Sequence, residues 1–149
     1  MPIRAAEPAD LPEIIALVRE LAEFERMADE VVLDPARVEA ELFGDRPSAS
    51  VLLALTDEGE VAGMALWFRT FSTFLGRSGV WLEDLFVRPR FRRQGLGGAL
   101  LAALRELTDG RVEWDVLDWN TAAQDFYDQL GAAPVPGWVR YRWTPEASA

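Results

Sequence analysis

One segment limits this chain more than any other. RPRFRRQGLGGALL, residues 88–101, sets Gly95, Gly97 and Gly98 between a cluster of arginines and an apolar run. Inside a helix each glycine costs about 1 kcal/mol relative to alanine, so bare backbone at a helix mouth calls for compensation. The preceding SGVWLEDLFVRP reads as a long strand closed by Pro89. The following GGALLAALRELTDG sets Leu100, Leu101, Leu104 and Leu107 on one helical face that stops at Gly110. A strand turning through 92–98 into a helix aims several N–H groups out of the helix N-terminus. Such a cup binds phosphate through N–H donors and the helix dipole, with arginines adding charge. It is not a Walker A loop, because all 15 basic residues are arginine, and the spacing is not the dinucleotide fingerprint.

The remaining periodicities place this turn in an α/β chain. PIRAA predicts a short first strand. EPADLPEIIALVRELAEFERM carries Leu11, Ile14, Ile15, Val18, Leu21 and Ala22 at helical spacing, with Asp10 as the expected cap and Pro12 in the first turn. DPARVEAELFG repeats the scheme from Asp34 and Pro35 to Gly44. Runs 51–56 and 61–71 predict an antiparallel hairpin around Asp57-Glu58-Gly59-Glu60. RVEWDVLDW predicts a strand over 111–119, NTAAQDFYDQLGA a helix from Asn120 to Gly131, and GWVRYRW a last strand over 137–143; TPEASA, 144–149, is expected to fray. With no repeat, linker or low-complexity block, the expectation is a single domain, 1–149, built on a mixed sheet.

What is missing narrows the chemistry. The chain has no cysteine and no histidine, which excludes thiol nucleophiles, Ser-His-Asp relays, histidine bases and Cys/His zinc sites; no metal is called for. Schiff-base chemistry goes with the absent lysine. A net charge of −10 argues against a nucleic-acid partner and suits a cationic small molecule, although acidity also serves solubility alone. No apolar run approaches the roughly 20 residues that span a bilayer, and the first residues lack a secretory apolar core, so a cytoplasmic protein without a membrane partner is expected.

VRPRFRRQGLGGALL resembles the acetyl-CoA motif of the GNAT acetyltransferases: Arg or Gln, two residues, Gly, one residue, Gly or Ala. Arg92, Gly95 and Gly97 occupy those places. Through RELAEFERM, FSTFLGRSG, WLEDLFVRP and DWNTAAQDFYDQLGA, the resemblance extends over almost the whole chain to the diamine branch, the spermidine/spermine and thialysine acetyltransferases. It implies the GNAT fold, a mixed and mostly antiparallel sheet flanked by helices, an acetyl-CoA co-substrate and a homodimer. It also implies that the backbone of Leu85, Phe86 and Val87 pairs with the acetyl and pantetheine portion. Arg92, Arg93, Gln94, Gly95, Leu96, Gly97 and Gly98 would cradle the pyrophosphate. Asn120 matches a cofactor-contacting position and Tyr127 one beside the thiol. Glu83 and Asp84 match an acidic pair beside the acceptor amine, Phe24 and Glu25 an acceptor-site pair that is usually Tyr-Glu, and Trp119 and Trp138 would flank the acceptor's aliphatic chain.

Acetyl transfer to an amine sets two proton problems. An alkyl amine with a pKa of about 10.4 arrives protonated, and the leaving thiolate, of thiol pKa about 8.5, benefits from a donor. Glu83 is the expected base, through ordered water, if burial or a neighbouring charge such as Asp84 raises its pKa. Tyr127 is the expected acid, and an amide near Phe86 or Val87 would polarise the thioester carbonyl. Plainer roles stay open: Tyr127 packing a helix on the sheet, Asn120 only as a cap, Phe24 as core, the acidic residues of 20–30 as a solvated face. Adjacent in a strand, Glu83 and Asp84 face opposite sides unless a bulge intervenes.

Departures from the polyamine-specific pattern leave the acceptor open. APVPGW has no carboxylate before Gly137-Trp138, and Phe24 lacks the tyrosine hydroxyl. A diamine, a thialysine-like amino acid, another amine such as an antibiotic or protein N-terminus, and a non-catalytic acyl-CoA sensor are the alternatives.

Overall fold

The apolar spacing near the start of the chain closes into helix α1, Leu11–Phe24, in a computed structural model that describes residues 2–146. Its buried residues are Ile14, Leu17, Leu21 and Ala22, so Leu17 joins the predicted stripe while Ile15 and Val18 lie half-buried beside it. Asp10 does not cap α1 with its side chain. Its carboxylate accepts from the Glu7 N–H at 2.7 Å and pairs with both terminal nitrogens of Arg4 at 2.7 and 2.9 Å. A guanidinium fork offers a carboxylate more than one helix amide does. Helix α2, Pro35–Phe43, starts as predicted, with Asp34 Oδ1 accepting from the Ala36 N–H at 3.1 Å.

Strands β1 Ile3–Ala5, β2 Ser50–Leu55, β3 Val61–Ser72, β4 Arg77–Val87 and β5 Val112–Trp114 lie side by side in chain order. Pairing is antiparallel except between β4 and β5. The predicted β2–β3 hairpin closes where the Thr56 N–H donates to the Glu60 carbonyl at 2.8 Å. Parallel pairing requires a crossover, which helix α3, Leu96–Glu106, supplies. Ile14, Leu17, Leu21 and Leu42 from α1 and α2 pack on Val51, Leu53, Met64 and Phe86 of the sheet. The buried α3 leucines 96, 100, 101 and 104 belong to none of that cluster and pack against β1 to β4 as a layer of their own. The mixed, mostly antiparallel sheet with flanking helices is the expected class.

The chain divides into two compact units, one through Asp115 and one from Val116. The first holds the sheet and α1 to α3; the second holds helix α4, Thr121–Gln129. Two sequence expectations fail. β5 ends at Trp114 instead of running to residue 119, its pairing with β4 stopping at Leu82 where the β4 ladder becomes irregular. GWVRYRW forms no strand among the described residues. Pro134 and Pro136 bring no N–H to a ladder and Gly137 is left-handed at φ 90°, so the approach to this segment is broken. Residues 147–149, expected to fray, lie outside the described residues.

Candidate active site

A single irregularity in β4 shapes the acidic side of the site. Leu66 pairs with Asp84, but Trp67 pairs with Leu82, so Glu83 has no residue opposite it on β3. This is the bulge that the adjacent acids required. Phe68 pairs with Trp81, and Leu66 and Phe68 share a face, so Asp84 and Trp81 share it too; Glu83, two residues beyond Trp81, joins them. The Trp81 Nε1–H donates to Glu83 Oε1 at 3.2 Å, which fixes that side chain on the same face.

The two acids differ sharply in environment. Glu83 is exposed, whereas Asp84 is half-buried. Burial pushes the Asp84 carboxyl up to about 6, and the charges of Glu83 and Glu25 add to it. Glu25, the residue that ends α1, is itself raised by burial. The condition set for Glu83 as a base is therefore met at Asp84. Phe24 is 43% exposed and stands over the buried Phe86, ring centres 6.4 Å apart, so α1 brings its acceptor-site pair to the β4 surface. All of Phe24, Glu25, Glu83 and Asp84 thus belong to one side of the first unit.

Beyond Val87 the chain makes a helical turn at Pro89–Phe91 and then the glycine segment. Arg93 (φ 64°) and Gly95 (φ 80°) are both left-handed, alternation of the kind that turns successive N–H groups into a concave nest. The first α3 hydrogen bond runs from the Ala99 N–H to the Gly95 carbonyl at 3.0 Å, so the amides of Leu96, Gly97 and Gly98 precede the helical ladder. A Cβ on Gly98 would meet nothing within 4 Å, so this position is uncrowded. Such a cradle fits a pyrophosphate. Arg92 is turned otherwise than expected. Its Nε donates to the Val87 carbonyl at 2.8 Å and its guanidinium lies 4.8 Å over Phe24 and 5.5 Å over Phe86. Gly63 explains how β3 approaches the expected cofactor strand, since a Cβ there would sit 2.5 Å from the Phe86 carbonyl oxygen.

Arg88 locks this strand end to α1. It reaches Glu13 at 2.7 Å, Glu20 at 3.0 and 3.1 Å and the Val61 carbonyl at 3.0 Å. In the second unit, Asn120 caps α4 by accepting from the Ala123 N–H at 3.2 Å, and the Tyr127 ring lies 5.5 Å from that of Phe126. Trp119 and Trp138 are exposed residues of the same unit.

The fold and the chemistry of these residues define the class as acyl-group transferases. Against known proteins, the acetyltransferase (GNAT) family model matches residues 14–132, and the chain belongs to that family. It is an N-acetyltransferase, and GNAT acetyltransferases use acetyl-CoA. A thialysine N-epsilon-acetyltransferase of Bos taurus is 35% identical over 97% of this chain and 93% of its own length. An L-ornithine N5-acetyltransferase of Arabidopsis thaliana is 30% identical over 97% of this chain and 85% of its own. Among solved structures, an aminoglycoside acetyltransferase from an uncultured soil metagenomic sample matches with a TM-score of 0.78 at 19% identity, over 97% of this chain and 96% of that one.

Two features escaped the sequence reading. The stack of Arg92 on Phe24 and Phe86 joins residues distant in sequence and left no local signal. The Trp81–Glu83 bond did leave one: a donor and an acid two apart in a strand share a face.

Proposed function

We propose that the chain moves an acetyl group from acetyl-CoA directly to a primary amine of a small molecule, a diamine or polyamine or a thialysine-like amino acid. The observation that carries this reading is the convergence of Glu25, Glu83 and Asp84 on one surface of the first unit, with one carboxyl raised to about 6. An anionic cleft recruits an ammonium, and a carboxyl of raised pKa accepts its proton more readily than an ordinary one. The names of the two relatives, acetylating side-chain amines of amino acids, support the same class of acceptor.

In this reading the ammonium docks against Glu83 and Glu25 and gives its proton to Asp84, through water where the distance requires it. The role first expected of Glu83 thus passes in part to its neighbour. The free amine attacks the thioester carbonyl carbon; the carbonyl oxygen takes up the charge facing the amide of Val87, since the Phe86 edge is turned to β3. The C–S bond then breaks and Tyr127 protonates the thiolate. Leu85 to Val87 hold the acetyl and pantetheine portion, the 92–98 turn holds the pyrophosphate, Asn120 contacts the cofactor, and Phe24, Trp119 and Trp138 line the acceptor's aliphatic part. No metal enters. The chain works as one acetyltransferase domain, in the cytoplasm, as a homodimer, without nucleic-acid or membrane partners. The net charge of −10 supports the absence of nucleic acid, and no helix among the described residues is long and apolar enough to cross a membrane.

Release of free CoA thiol from acetyl-CoA, measured against spermidine, putrescine, thialysine, ornithine, lysine, aminoglycosides and N-terminal peptides, tests the reading. Turnover on an amine that bears a second cationic group is expected. Turnover confined to peptides, or none with acetyl-CoA still bound, would overturn it.

A further inference from the structure

The bulge places Trp81 and Glu83 side by side, and their contact has a direction. An indole N–H only donates, so the 3.2 Å bond to Glu83 Oε1 is accepted by an oxygen lone pair. Glu83 is exposed and sits at the residue with no ladder partner, where a flexible side chain would otherwise sample several rotamers. Tryptophan is a suitable anchor, with only two side-chain torsions to fix. One oxygen is occupied by the indole; the other keeps its lone pairs for an incoming cation. Around this carboxylate stand Asp84 on the same strand and Glu25 from the end of α1, coupled electrostatically through Asp84.

We propose that Trp81 is a positioning residue for acceptor binding: its indole N–H holds the Glu83 carboxylate in one orientation, so that Glu83 binds the acceptor ammonium and Asp84 is left to take the proton. The division of labour between the two acids rests on the amine-transfer reading above. It predicts that Trp81 acts on acceptor affinity through Glu83.

A double-mutant cycle tests this. Trp81→Phe keeps a ring and removes the donor; it raises the amine KM about five-fold, as loss of one ordinary solvent-exposed hydrogen bond does, while kcat and acetyl-CoA affinity stay near wild type. Glu83→Ala raises KM at least as much. The double variant is no worse than Glu83→Ala alone, because the indole then has no acceptor to hold. Additive losses, or a Trp81→Phe enzyme equal to wild type, would overturn the proposal. A second readout does not depend on turnover. The indole N–H resonance assigned to Trp81 by its disappearance in Trp81→Phe should shift and exchange faster with solvent in Glu83→Ala, which removes the acceptor. An unchanged resonance also overturns it. A wild type that acetylates none of the amines would sink the functional reading, and the resonance would still decide whether the bond exists.

Discussion

Asp84 is where stability and chemistry pull against each other. Its carboxyl is raised from 3.8 to about 6 by burial and by Glu83 and Glu25, so the folded chain keeps a proton that the unfolded chain releases. Stability contributed at this site is therefore full below the unfolded pKa and is lost as pH rises from about 4 to 6, by on the order of 2–3 kcal/mol. Asp84→Asn should raise the melting temperature at pH 7.5, flatten its dependence over pH 4.5–7.5, and lower kcat/KM about 100-fold or more. Thermal melts at the two pH values, with thiol-release kinetics, check both signs. Asp10 works in the opposite direction: Arg4 holds its carboxyl below the usual range, so its contribution is present at neutral pH and fades in acid. At Tyr127 the expectation is purely kinetic: Tyr127→Phe lowers kcat about 100-fold with acetyl-CoA affinity unchanged, since a proton donor to the thiolate acts as the C–S bond breaks. Residue identities here were legible, because LEDLFV shows two acids in a strand. Which acid is buried was not, since that depends on a ladder slip against Leu66 and Trp67 and on where α1 ends.

At the scale of elements, the glycine turn was the most legible part, and its cost can be separated from its use. Gly98 lies in the first turn of α3 with open space where a Cβ would go. Gly98→Ala should stabilise the free chain by up to about 1 kcal/mol through the lost flexibility of the unfolded state. If the turn cradles pyrophosphate, the added methyl fills the cradle and acetyl-CoA binding by calorimetry weakens about ten-fold or more. Stabilisation with unchanged affinity would remove the turn from the cofactor site. Gly63→Ala has the reverse balance, its Cβ meeting the Phe86 carbonyl at 2.5 Å, and should destabilise by about 1–3 kcal/mol as the β3–β4 ladder shifts. Periodicity identified α1, α2, the β2–β3 hairpin and α3 because each buries a stripe against the sheet. It misled at GWVRYRW, where alternation marks a segment able to be a strand, while Pro134 and Pro136 before it, the left-handed Gly137 at its start and the absence of a paired strand among the described residues decide that it is none. β5 was overextended for a related reason: its length is set by its parallel pairing with β4, which stops at Leu82 although β4 itself runs on.

At the scale of the molecule, the two units differ in what holds them. Among the described residues nineteen form the buried apolar set, Ile14 to Leu104, and all precede Val116; α4 contributes none. Hydrogen exchange should therefore show α4 amides opening well before those of β3 and β4, whose exchange follows global unfolding. The apolar surface left outside that core bears on the proposed dimer. Phe71 and Phe74 at the β3–β4 hairpin are 68% and 98% exposed, and Tyr141 and Trp143 of the tail 92% and 99%. Large aromatics at such exposure are surface that association can cover. Two copies of a chain with net charge −10 repel, so burying that surface has to outweigh a long-range electrostatic penalty. The balance has a measurable sign. Light scattering should give twice the 16.7 kDa chain mass at about 0.15 M salt, where the Debye length is about 8 Å, and the dissociation constant should rise as salt is removed and screening is lost. Tighter association at low salt would mean that ion pairs between copies, not the exposed aromatics, hold the dimer, and a single chain mass at every salt concentration would remove the dimer from the proposal.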